Sequence, residues 1–269
     1  MYETPEHTPN IQKKLPTNEI FKESWHLSIK YFAALVLPHF IFSIPILIVA
    51  FLAVEKSSKQ FANFVIGLVG VIVSMGIHRV ILRLKTEGIE PRFERVFSEG
   101  YDNWWRGIKI NSVAGFYSIL VIILCAIPIL LSLVISDINK TVGAILTIIA
   151  VITSLSFLVW FVCRACLVAV AMADQQSSAF ESFAYGWDLT KGRTLQILKI
   201  LLAILGAILL LVVLPFTLIN IFFRDPLILI PIYSGLWIVY MFCIAFAQTI
   251  FNLIYQNLKS LNQNTPKDN

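Results

Sequence analysis

Four cysteines, four histidines and sixteen carboxylates are the residues of this 269-residue chain that could carry chemistry, and their spacing permits little of it. Cys163-Arg164-Ala165-Cys166 has the two-residue gap of a redox or metal-binding pair. No second pair and no nearby histidine completes a zinc site, however, and no strand-and-helix pattern surrounds it. Both thiols stand in or at the end of an apolar run, where cysteine packs as a small hydrophobe. His39 lies beside Pro38 inside another apolar run. A histidine at such depth could move a proton or hold a ligand, or its ring could be satisfied by carbonyls that the proline frees, and no acid stands at the same depth nearby. The apolar runs hold no pair of carboxylates, no metal-spaced histidine cluster and no nucleophile with a base. Glu23, Glu99, Asp102 and Asp188 recur near one repeated motif, where a solvated helix face or an ion pair with Arg79 or Arg164 accounts for them. The expectation is a protein with no catalytic residue, no cofactor and no metal.

What must position these groups is set by composition. Hydrophobic residues make up 58% of the chain and charged ones 14%, with a mean hydropathy of +0.79, whereas soluble domains carry about 45–50% and ~25%. Uninterrupted apolar runs cover Tyr31 to Val54, Phe61 to Ile77, Ile110 to Ser136, Val142 to Cys163, Ile200 to Phe223 and Leu227 to Tyr255. A spanning helix needs roughly 20 apolar residues, so the pattern predicts an all-α polytopic membrane protein with six transmembrane helices. Lys and Arg in short loops stay on the cytoplasmic side. With both termini inside, only Lys56, Lys59, Lys140 and Arg224 fall outside, so the bacterial inner membrane with cytoplasmic termini is the expected setting. The net charge of +5 then follows from topology and calls for no nucleic acid.

A motif recurs before alternate spans: Phe21-Lys22-Glu23-Ser24-Trp25, Phe97-Ser98-Glu99-Gly100-Tyr101 and Phe183-Ala184-Tyr185-Gly186-Trp187. Each reads Phe, two variable residues, Ser or Gly, then a bulky aromatic, and a cation follows (Lys30, Arg106, Lys191). Arg79 stands eighteen residues before Phe97 and Arg164 nineteen before Phe183, a second register for the same repeat. The expected organisation is a disordered tail over 1–16, a six-helix domain over 17–258 with repeats of about 17–84, 91–172 and 177–258, and a tail over 259–269. Each repeat is a hairpin of spans preceded by a cytoplasmic-side amphipathic helix, and the three share a pseudo-threefold axis along the membrane normal. Thr17 and Pro91 are placed to open the first two amphipathic helices. Ser178 and Glu181 fit a capping box for the third, and Gly192 is placed to stop it. Pro38 and Pro45 predict a bent first span, and Gly67, Gly70 and Ser74 form a small-residue stripe for close helix approach.

The residues expected to matter are therefore structural. Phe21, Phe97 and Phe183 with Trp25, Tyr101 and Trp187 would wedge the amphipathic helices against the hairpins, Ser24, Gly100 and Gly186 allowing close approach, with Lys191 and Gly192 completing the third motif. Arg79, Arg83, Arg106, Arg164 and Arg193 are candidates for binding anionic headgroups or pairing with the acids of the inner helices. His39, Asn111, Ser118, Ser154, Asn220, Gln248 and Asn252 are the candidate polar lining of a path along the axis.

The stretch Ser182 to Arg193 and the closing Ile254-Tyr255-Gln256-Asn257-Leu258-Lys259 resemble an uncharacterised family of six-span bacterial inner-membrane proteins. That family is related to the membrane domain attached to some glycerophosphodiester phosphodiesterases. The resemblance implies the span arrangement, not the phosphodiesterase activity, because no such catalytic domain is present. Two readings follow: a non-catalytic, lipid-contacting scaffold or accessory protein of envelope homeostasis, whose partners are membrane lipids and another membrane protein, or a small uncoupled transporter or carrier of a lipid-like substrate. Coupled transport is disfavoured because no span holds an Asp or Glu.

Overall fold

The computed structural model describes residues 16–52, 56–175, 177–222 and 226–263, and among these every regular element is helical. The helices are α1 (Thr17–Lys30), α2 (Phe32–Leu35), α3 (Leu37–Leu52), α4 (Lys56–Glu87), α5 (Phe93–Ile138), α6 (Lys140–Ala165), α7 (Val168–Asp174), α8 (Ala179–Leu189), α9 (Thr194–Ile208), α10 (Leu214–Phe222) and α11 (Pro226–Gln263). Five helical stretches are long and apolar enough to cross a membrane: Gly67–Glu87, Phe93–Ile138, Lys140–Asp174, Thr194–Phe222 and Ile232–Asn262. Residues 1–15 of the expected tail and the last two residues of the expected first span, Ala53 and Val54, lie outside the described residues.

Local sequence explains most boundaries. Ser178 Oγ accepts from the Glu181 N–H at 3.3 Å while Glu181 takes the Ser178 N–H at 2.9 Å, the reciprocal cap that starts α8. Asn139 starts α6 by accepting from the N–H groups of Thr141 and Val142. Gly88 (φ 69°) follows α4 and Gly192 (φ 77°) lies between α8 and α9, both in the left-handed region that glycine enters without penalty. Between α9 and α10 the chain widens into a π-turn over Leu209–Val213 just before Pro215, which re-routes the hydrogen bonds that the proline breaks.

Several sequence expectations are corrected. The second amphipathic helix is not a separate element, because α5 runs unbroken from the Phe97 motif through the third span. Gly107, the residue best placed to break it, instead packs where an added Cβ would lie 2.6 Å from Val71 and 2.7 Å from Met75, so helix packing holds it in register. Pro91 precedes this helix, which begins at Phe93 after an extended Arg92. The first apolar run is interrupted at Tyr31 and Val36, leaving Pro38 in the first turn of α3, where its missing N–H costs nothing. Helix α11 continues past residue 258 to Gln263, beyond the expected start of the tail. The glycine stripe is misplaced as well: nothing lies within 4 Å of a Cβ added at Gly67 or Gly70, whereas Gly76 meets the Val96 carbonyl of α5.

The packing order sets the site. The start of α5 lies on the end of α4, α8 lies on α7, and α1 lies on α11. Short α7 is buried along most of its length and touches α4, α5, α8 and α11, so it forms the floor under the charged end of the bundle. The larger apolar cluster gathers residues of α1, α5, α7, α8 and α11, including Ile20, Met172, Phe183 and Ile254.

Candidate functional site

The charged end of the bundle is a collar built on α1, the α4–α5 turn, the α6–α8 segment and the end of α11. Its three motifs share a geometry. Gly100 faces the Ile72 carbonyl of α4 so closely that a Cβ would overlap it, and a Cβ on Gly186 would lie 2.9 Å from Val168 Cα. Ser24, the counterpart on α1, is fully buried. The aromatics differ more. Phe183 is buried and stacks on Tyr117 at 4.5 Å, and Trp187 meets Trp160 edge-on at 5.3 Å. Phe21 and Trp25 contact Phe246 of α11, and Phe97 meets Phe42 at 4.7 Å. Tyr101 departs from the expected wedge: it is 70% exposed. Lys191 and Gly192 sit in the exposed turn after α8.

Five collar cations have an acid across a helix interface. Glu99 receives both Arg79, Nε at 3.5 Å, and Arg83, while Arg79 Nη1 also donates to the Ala173 carbonyl at 2.8 Å. Lys85 pairs with Glu23 of α1, and Lys30 reaches Glu90 at 3.7 Å. Asp174 at the end of α7 accepts from Tyr255 Oη and Lys259 Nζ, each at 2.6 Å. Arg164 instead lies over the Trp187 ring at 4.9 Å, a cation–π contact. Arg106 and Arg193 each keep a buried nitrogen without a hydrogen-bond partner among the described residues, Nη2 in the first and Nε in the second. At the α8 cap, the Ser178 backbone N–H and hydroxyl hold the Glu181 carboxyl below its ordinary value. Burial pushes the Tyr185 phenol up.

The expected polar lining splits into two groups. His39 Nε2 lies 3.1 Å from Gln248 Oε1, and Gln248 Nε2 donates to Ser74 Oγ at 3.1 Å. One turn further along the same two helices, Asn252 Nδ2 lies 2.8 Å from His78 Nδ1. The residues form a ladder across α4 and α11 beside a cavity of about 390 Å³, which His39, Ser74, Gln248 and Trp237 help to line. His78 was absent from the expected lining; the matching four-residue spacings of Ser74 and His78 and of Gln248 and Asn252 were the available signal. The other candidates do not join. Asn111 and Ser118 donate to carbonyls four residues back, Ser154 donates to the Cys125 carbonyl, and Asn220 donates to Phe216 while accepting from Tyr233.

Cys163 and Cys166 are free thiols, with Cys166 Sγ directed at the Cys163 carbonyl at 3.2 Å. Among the described residues no group of three or more His, Cys, Asp or Glu side chains could hold a metal ion. Compared with known protein families, with curated proteins and with solved structures, the chain matches none.

Proposed function

We propose that this chain is a non-catalytic, six-span protein of the bacterial inner membrane, with cytoplasmic termini, that contacts lipid headgroups through its collar and serves as a scaffold or accessory protein of the envelope. The carrying observation is the division of its surface. Large apolar side chains such as Ile122, Leu130, Leu146 and Leu155 are exposed along α5 and α6, a surface suited to acyl chains. The Arg and Lys residues of the collar lie at one end of it together with Trp25, Tyr101 and Trp105, the aromatic and cationic mixture that suits an anionic membrane interface. The three-hairpin organisation belongs to the same proposal. It is supported by the packing order, in which each motif lies on the second span of the module before it and the first motif closes on the last.

The cavity beside His39 favours one alternative, a carrier of a lipid-like or uncharged polar substrate, because its hydrogen-bonding side chains sit among apolar ones at span depth. Extraction of the purified protein followed by mass spectrometry separates the two. Anionic phospholipid retained through gentle detergent purification is the expected result. A retained polar solute with no phospholipid would overturn the scaffold reading in favour of the carrier.

A further inference from the structure

The collar contains a cationic cleft that no acid among the described residues lines. It lies between α5 and the turn entering α8, with a volume of about 470 Å³, and Arg106, Lys109 and Ser112 come to it from α5 while Ser177 and Phe180 come from the opposite side. No carboxylate lines it. The nearest acid in sequence, Glu181, is turned back onto the Ser178 N–H. Arg106 makes none of the collar's ion pairs among the described residues, and the charge that acts on its guanidinium is repulsive, from Arg79, which itself pairs with Glu99. Arg106 and Lys109 bring two cations to a cleft that no carboxylate lines, so the chemistry that suits it is an anion with several acceptor oxygens. Phosphate supplies that, and Arg with its planar fork suits phosphate oxygens well. Lys109 Nζ sits over the Trp105 ring at 5.8 Å, which holds a second cation at the mouth. Ser177 is already bonded to Gln175 and Ser182, so Ser112 is the hydroxyl left to donate.

We propose that this cleft binds a phosphate-bearing group through Arg106, Lys109 and Ser112, and that its source is the headgroup of an anionic phospholipid. The lipid source follows from the rim, where Trp105 is 54% and Phe180 62% exposed. Two large rings beside a phosphate site suit the glycerol and first acyl carbons of a lipid and offer nothing to free phosphate. The inference rests on the lipid-contacting reading and assigns it a place.

The test uses the full chain reconstituted in phosphatidylcholine vesicles with a minor fraction of phosphatidylglycerol, then released into mild detergent for intact-complex mass spectrometry. The wild type should retain phosphatidylglycerol in preference to phosphatidylcholine, and R106Q/K109Q should retain roughly thirtyfold less, as expected for two lost headgroup cations. S112W, which fills the cleft without changing charge, should lose it too, and inorganic phosphate should fail to displace it. K109Q alone, at an exposed position, preserves the fold and should show a smaller loss. Equal retention by the wild type and all three variants would overturn the cleft while leaving the lipid-contacting reading standing. A wild type that retains no phosphatidylglycerol would overturn both, and displacement by inorganic phosphate would overturn the lipid source.

Discussion

The seam between α4 and α11 and the hairpin of α5 and α6 are both apolar helix pairs, yet they handle polar side chains in opposite ways. In the seam, His39, Ser74, His78, Gln248 and Asn252 bond from one helix to another. In the hairpin, Thr153 and Ser156 donate to carbonyls four residues back on their own helix, with Thr147 to Ser132 and Ser154 to the Cys125 carbonyl as cross-links between the two helices. Burial follows the same division: 44% of the most apolar window is buried in α4 and in α11, against 11% in α5 and 17% in the α6–α7 stretch. The difference separates an inside from an outside in a protein whose composition is apolar throughout. Where lipid is the neighbour, a hydroxyl must satisfy itself on its own backbone; where a helix is the neighbour, it can specify a partner.

The sharpest way to break this comparison is to add bulk to two glycines of α5, one packed on α4 and one with open space beside it. Gly100→Leu drives a side chain into the α4 backbone and should cost upwards of ~3 kcal/mol, the upper range for overpacking, so most of the folded protein should be lost on size-exclusion chromatography. Gly115→Leu, which meets nothing within 4 Å, should change thermal stability by less than about 0.5 kcal/mol, as surface substitutions do. Gly186→Leu should likewise lower folded yield more than Asp188→Asn, and equal yields would remove the close-approach role of the motif.

Next in size is Asp174→Ala, which strands Lys259 and Tyr255 at the foot of the seam. Allowing for partial exposure of the pair, the expected destabilisation is about 2 kcal/mol, read as a shift in thermal unfolding. A smaller effect, about 1–2 kcal/mol, is expected for His78→Leu, which leaves Asn252 without its cross-helix partner. Thr153→Val on the hairpin should be close to neutral, and reversal of that order would show that the ladder is not the structural interior.

The smallest predicted effect is a pH dependence confined to the collar. The folded carboxyl of Glu181 is held below its ordinary value, so its contribution is full above the usual glutamate pKa of about 4.3 and is lost as pH falls through the lower folded value. The protection of amides at the start of α8, after correction for the pH dependence of intrinsic exchange, should fall slightly upon acidification in the wild type and not in Glu181→Gln, while the protection of α5 and α6 stays unchanged in both.

The helical class, the apolar segments and the motifs were legible because they rest on local patterning. The capping box at Ser178 and the positive φ at Gly192 are local as well, and both stand where the sequence placed them. What could not be read depended on the neighbour. Gly107 has the same identity whether it breaks a helix or packs on Met75, and only the position of α4 decides. Gly67 and Gly70 offered the obvious stripe, but the helix that approaches α4 comes to Gly76 instead. Segment 168–174 is nearly as apolar as the fourth span that ends before Arg164, so nothing in it marks the turn that makes α7 the floor of the collar. His78 lacked meaning until Asn252 was placed opposite, 174 residues away. Arg106 looks like the other collar cations in sequence, and only the fold sets it with Lys109 on a cleft that no carboxylate lines.

The central claim, that α5 and α6 meet lipid while α4 and α11 meet each other, is tested most directly by crosslinking the wild-type protein in bilayers with a photoactivatable phospholipid carried in its acyl chains. Adducts mapped by peptide sequencing should concentrate on the exposed faces of α5 and α6 and be scarce on the α4–α11 seam. Adducts concentrated on the seam, with α5 and α6 protected, would contradict the account.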